Sequence, residues 1–153
     1  MNNYEKNEKY ADLMGRLKEA INRDFYYEAI FIEYAILEDR TESLLKHAKL
    51  SLTDYNGVPL NLNSKLQKIK HSVIFYKDEY INKHFTYNLI SDIHMWKNRR
   101  NELIHDLIRT KYNNEDIKQI ALDGYEIVKV ANNKSRLVTK YLDKKKGEVY
   151  VSN

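Results

Sequence analysis

LISDIHMWKNRRNELIHDLIR, residues Leu89–Arg109, carries the repeat of a helix with one apolar face. At about 100° per residue, Leu89, Ile90, Ile93, Trp96, Leu103, Ile104, Leu107 and Ile108 gather into a single stripe. Arg100 falls near the middle of that stripe, where an aliphatic side chain belongs. Asn101 and His105 lie together at its edge, one turn apart, with His94 on the same line. A charge on a buried face is costly unless it is paired or put to use. Such broken rules gather at functional or strained sites.

The rest of the chain repeats the helical period. Residues 4–22 read as a first helix, with Tyr10, Leu13, Met14, Leu17 and Ile21 on one side. Asp24 can cap a second, Phe25–Leu50, whose apolar residues form two patches, as in a helix central to a bundle. Asn56-Gly57 and Pro59 mark 51–62 as the main loop. Ser64 with Gln67 offers a capping box for a third helix over 63–77, in which Leu66, Ile69, Val73 and Ile74 suit a packed face. Asp78–Tyr87 reads as a short helix or a turn. Asn113 with Asp116 resembles a cap for a last helix over 114–142. With four Gly and one Pro in 153 residues, few breakers interrupt these patterns. The expected fold is all-α, an up-and-down bundle of four to five helices forming one domain over 1–142. Residues 143–153 are expected to be a polar, flexible tail, in which Val149–Val151 could still pack.

Composition narrows the function classes. There is no cysteine, hence no disulfide framework and no thiolate nucleophile or metal ligand. Met1–Arg23 lacks the apolar core of a secretory leader, and no apolar run approaches the ~18 residues of a membrane span. A soluble, cytoplasmic protein with no membrane association is the expectation. The net charge of +4 is unevenly spread. Residues 1–62 hold eight Lys/Arg against eleven Asp/Glu, a net of −3, and residues 63–153 hold eighteen against eleven, a net of +7. The basic excess surrounds Arg100 and His105, and a basic surface attracts phosphate polymers. Ordinary solubilising charge explains the same excess.

Arg100-Asn-Glu-Leu-Ile-His105 resembles the R-x4-6-H motif of the HEPN superfamily, including its polar residue directly after the arginine. The match covers six residues, in a chain of helical character and suitable length. The resemblance implies a metal-independent endoribonuclease, acting on RNA as a homodimer that brings two motifs together. Many members are toxins or antiviral effectors. Some are paired with antitoxins and carry a modified Tyr two residues after the His. Here that position is Leu107, so that mode of control is not expected, and no antitoxin partner is specified by the chain.

The residue types suit that chemistry. RNA is cut without metal when its 2′-OH loses a proton and attacks the adjacent phosphate. An imidazole can take that proton or protonate the leaving oxygen. A guanidinium can hold the phosphate through two parallel hydrogen bonds. Asn101 can orient either group. Arg100 and His105 lie about 140° apart around one helix. A shared site at a dimer seam would reconcile them, with part of the apolar stripe serving as interface. The competing reading is a non-catalytic nucleic-acid-binding or protein-interaction module. In it Arg100 is a structural ion-pair residue, with Glu33 as the obvious carboxylate.

Other signals are weaker. Lys97, Arg99, Lys65, Lys68 and Lys70 can bind phosphates, or simply form a solvated cationic face. Thirteen Tyr are many for this length. Tyr26, Tyr34, Tyr125 and Tyr141 fit helix-face packing, whereas Tyr76, Tyr80 and Tyr87 lie in the basic middle segment and can stack on bases. His94 and His105 are about 16 Å apart along one helix, too far to share a metal. The carboxylate pairs of all-α nucleotide pyrophosphohydrolases are not found: Glu5–Glu8 is the one E-x-x-E, with no E-x-x-D. No cofactor or metal is expected.

Overall fold

A computed structural model describes residues 1–74, 78–109 and 112–151, with side chains for all of these except 72–74 and 146–151. The chain is all-α, as its periodicity predicts. The helices are α1 Asn3–Asn22, α2 Tyr26–His47, α3 Leu62–Lys68, α4 Glu79–His84, α5 Tyr87–Asp106 and α6 Asn114–Val151, with a π-helical turn Ile69–Ile74 extending α3. Among the described residues the extended pairing is confined to an isolated bridge between Thr53 and Pro59. No helix among them is long and apolar enough to cross a membrane.

Helix ends follow local chemistry. Asn2 and Glu5 form a capping box at the start of α1, and Asn113 and Asp116 bond each other's backbone amides ahead of α6. Two expected caps sit elsewhere. Asn61, not Ser64, caps α3, accepting from the Ser64 amide at 2.9 Å. Asp24 does not open α2 but closes α1. It adopts φ 60°, its amide reaches Ile21 O, and the Phe25 amide reaches Ala20 O. That is the bond pair of a Schellman motif. The α2 C-terminus repeats it, with Lys49 at φ 58° and the Leu50 amide on Leu45 O at 2.9 Å. A side chain in this conformation costs about 1–2 kcal/mol. Lys49→Gly is therefore expected to stabilise the protein by about 0.5–1 kcal/mol after the added chain entropy of glycine, a gain measurable by urea denaturation. Asp24 differs because it accepts the Tyr26 hydroxyl at 2.6 Å.

The chain divides into two compact units, residues 1–35 with 96–126, and 36–95 with 127–153. The divisions fall inside α2, α5 and α6. The first unit buries Leu17, Ala29, Ile30, Ile32, Trp96, Leu103, Ile120 and Ala121; the second buries Ile36, Leu37, Leu44, Leu45, Leu66, Phe85, Ile93 and Val138. The backbone of α6 continues as helix to Val151, past the end at 142 expected for the domain. The side chains of Val73, Ile74 and Val149–Val151, and all of Tyr76, lie outside the described residues.

Candidate active site

The α5 stripe is buried for most of its length and then opens. Leu89, Ile90, Ile93, Trp96 and Leu103 are core residues. Ile104, Leu107 and Ile108 are 44%, 43% and 95% exposed, around the exposed His105. The change coincides with the end of α5 at Asp106, where the chain leaves the helix through a turn.

Arg100 is half-buried. Its guanidinium carbon lies 4.0 Å from the centroid of the Tyr34 ring, a contact worth about 0.5–2 kcal/mol. Its Nη1 donates to Asn101 Oδ1 at 3.1 Å, and its Nε is sealed from solvent without a hydrogen-bond partner. Asn101 and His105 are one turn apart on the same side of α5. The arginine, expected to face away from His105, is thus tied to the amide that shares the histidine's face.

Glu33 does not serve as the partner of Arg100. Its side chain is fully buried, and neither carboxyl oxygen has a hydrogen-bond partner. The reason lies on α6. Gly124 has no side chain, and the Glu33 carboxyl occupies the space where one would stand. A Cβ there would be 2.6 Å from both Glu33 Cδ and Trp96 Nε1, and closer still to Glu33 Oε2. Trp96 is itself anchored, its Nε1 donating to Ile120 O at 2.9 Å. The next residue of α2, Tyr34, takes the guanidinium instead. Burial, with a smaller contribution from Asp123, pushes the Glu33 carboxyl from its ordinary 4.5 up to about 9, so it is neutral at pH 7. Gly124→Ala is expected to cost about 1–3 kcal/mol by overpacking. A thermal melt checks this, and pairing it with Glu33→Ala should recover part of the loss.

The expected phosphate-binding cations are mostly engaged. Lys65 is 5% exposed and bonds Glu38 and Glu42. Lys97 is 7% exposed, and burial lowers its ammonium below the ordinary lysine value. Lys68 donates to Ser51 O at 2.9 Å, and Arg99 pairs with Asp123 at 2.6 Å. Lys70 is half-buried. Lys65, Lys68 and Lys70 belong to the second unit, whereas Lys97 and Arg99 belong to the first. Lys65, Lys68 and Arg99 are therefore each held by a partner within their own unit. Lys65 was lost to an alternative that sequence offers but does not rank, since Glu38 and Glu42 sit one turn apart on α2. Tyr34 and Gly124 were missed as parts of the site. A glycine inside a strong helical pattern is the one signal that could have marked the close approach at Gly124. No protein family, curated protein or solved structure matches the chain.

Proposed function

We propose that this chain is a HEPN-like, metal-independent endoribonuclease working as a homodimer in the cytoplasm, in the service of a toxin or antiviral role. Arg100, Asn101 and His105 act on RNA at the seam between two copies. The observation that carries the reading is the hydrogen bond from Arg100 to Asn101 on the face that also presents an exposed His105. The exposed Ile104, Leu107 and Ile108 beside that histidine support the seam, because clustered apolar side chains in water mark contact surfaces.

In this mechanism the His105 imidazole removes the proton of a ribose 2′-OH. The 2′-oxygen attacks the neighbouring phosphorus while the P–O5′ bond breaks, and the leaving 5′-oxygen takes a proton from an imidazolium. The second copy's motif supplies that acid. The products are a 2′,3′-cyclic phosphate and a 5′-hydroxyl. Arg100 holds the phosphate oxygens as charge accumulates on them, and Asn101 fixes the guanidinium.

One observation favours the other reading, a non-catalytic RNA-binding or protein-interaction module. The Arg100–Tyr34 contact gives the guanidinium a structural place without any chemistry. Incubating purified protein with end-labelled RNA in EDTA separates the two. Cleavage lost in both Arg100→Ala and His105→Ala supports the enzyme, and cleavage indifferent to both removes it.

A further inference from the structure

The second unit carries a cationic cluster that the Arg100–His105 reading does not use. It lies where α4 meets α6. Tyr141 OH donates to Asp78 Oδ2 at 2.6 Å, and Lys145 Nζ donates to the same oxygen at 3.1 Å. Tyr80 stacks on Tyr141 with ring centroids 4.5 Å apart. His84 follows one turn later, its ring 4.5 Å from that of Tyr80. Lys134, Tyr141 and Lys145 share one side of α6, at helical spacings of seven and four.

Charge is balanced at one end of this face and not at the other. At the Asp78 end, burial pushes the carboxyl up. The hydrogen bonds from Tyr141, Lys145 and two backbone amides outweigh that and hold it below its ordinary value, so Lys145 is offset. At the His84 end, Lys83 and Lys134 have no carboxylate bonded to them among the described residues. Glu79 stands one turn before Lys83 but forms no ion pair with it. Burial first, then Lys134 and Lys83, lower the His84 imidazole below its ordinary value. Its Nδ1 is sealed from solvent without a partner. A neutral ring with its proton on Nε2 leaves no buried N–H stranded and presents a donor at its other nitrogen. The Tyr80–Tyr141 stack and the Tyr80–His84 ring contact bring this end of α4 against α6, and two ammonium groups unpaired among the described residues, with one ring donor, suit an anion with several acceptor oxygens.

We propose that Lys83, His84 and Lys134 form a phosphate-binding site on the second unit, filled by a backbone phosphate of RNA or by a free phosphate. The site is separate from Arg100 and His105 and holds its ligand whether or not those residues cut RNA. It also supplies the unpaired cations that Lys65, Lys68, Lys97 and Arg99 do not.

The test follows the His84 ring by NMR, with the signal assigned through His84→Gln, during titration with a uridine dodecamer and separately with inorganic phosphate. A bound phosphate raises the His84 titration midpoint, because it favours the imidazolium over the neutral ring. A shift with the dodecamer alone assigns the site to the polymer, and a shift with inorganic phosphate assigns it to the free anion; either supports the site. Lys83→Ala/Lys134→Ala should weaken dodecamer binding about tenfold and reduce the slope of log affinity against log salt by about 1.4, at roughly 0.7 per lost phosphate contact on a single strand. Both lysines reach solvent, so the fold should survive their removal. Arg100→Ala/His105→Ala should leave the His84 shift in place, which separates this site from the fate of the ribonuclease reading. An unmoved His84 midpoint with both ligands, or a ligand-induced His84 shift that persists undiminished in the double lysine variant, overturns the proposal.

Discussion

Glu33→Gln is expected to raise stability at pH 7 by up to about 3 kcal/mol and to flatten its dependence on pH. The folded carboxyl titrates near 9, against an ordinary 4.5. Folding must therefore bind a proton at any pH between those values, at a cost of about 1.4 kcal/mol per pH unit above 4.5. The sign follows from the raised value. The contribution of Glu33 is fully present below pH 4.5 and is lost as pH rises through 9. Glutamine keeps the shape of the neutral acid and carries no such cost. In a domain of this size 3 kcal/mol corresponds to roughly 6–12 °C in Tm. Urea denaturation at intervals between pH 5 and 9 should show wild-type stability falling relative to the variant as pH rises. Glu33→Leu should reproduce the flattening and also remove the two orphaned oxygens. Parallel curves for wild type and both variants would contradict a buried, neutral Glu33.

Arg100→Ala and His105→Ala should each lower RNA cleavage by at least about 100-fold, the ordinary scale for losing a proton-transfer group or a preorganised phosphate ligand. Their effects on the fold should differ. His105 is exposed, so its removal should leave stability within about 0.5 kcal/mol of wild type. Arg100→Ala gives up the Tyr34 contact and should cost about 0.5–2 kcal/mol. Arg100→Lys keeps the charge but not the planar fork, so it should rescue little activity. Asn101→Ala should act more mildly, about tenfold, because in the proposed mechanism the amide orients a group rather than reacting. Circular dichroism on each variant separates lost chemistry from lost structure.

The helices were legible because their signals are local. Apolar spacing along α5, breakers between α2 and α3 and the Asn113–Asp116 cap are written within a few residues of where they act. The π-helical turn and the Schellman ends at Asp24 and Lys49 were not legible, since these residue types carry no preference that would demand a left-handed backbone. The geometry of the candidate site was legible in part. Arg100, Asn101 and His105 could be singled out because one helix wheel places them. Their surroundings depend on which neighbouring helix turns which residue inward. Glu33 and Tyr34 are adjacent in sequence and about 100° apart on α2. Whether the carboxylate or the ring meets Arg100 is decided by the gap at Gly124, ninety residues away. The same long-range dependence removed Lys65 from the candidate phosphate ligands, because Glu38 and Glu42 hold it.

The most direct test is the chemistry of the cut ends. Wild-type protein, incubated with a 5′-labelled RNA in excess EDTA, should yield fragments ending in 2′,3′-cyclic phosphate, with 5′-hydroxyl partners and no such products from His105→Ala. Intact RNA, or equal cleavage by wild type and His105→Ala, would contradict the assignment of Arg100 and His105 as a ribonuclease site.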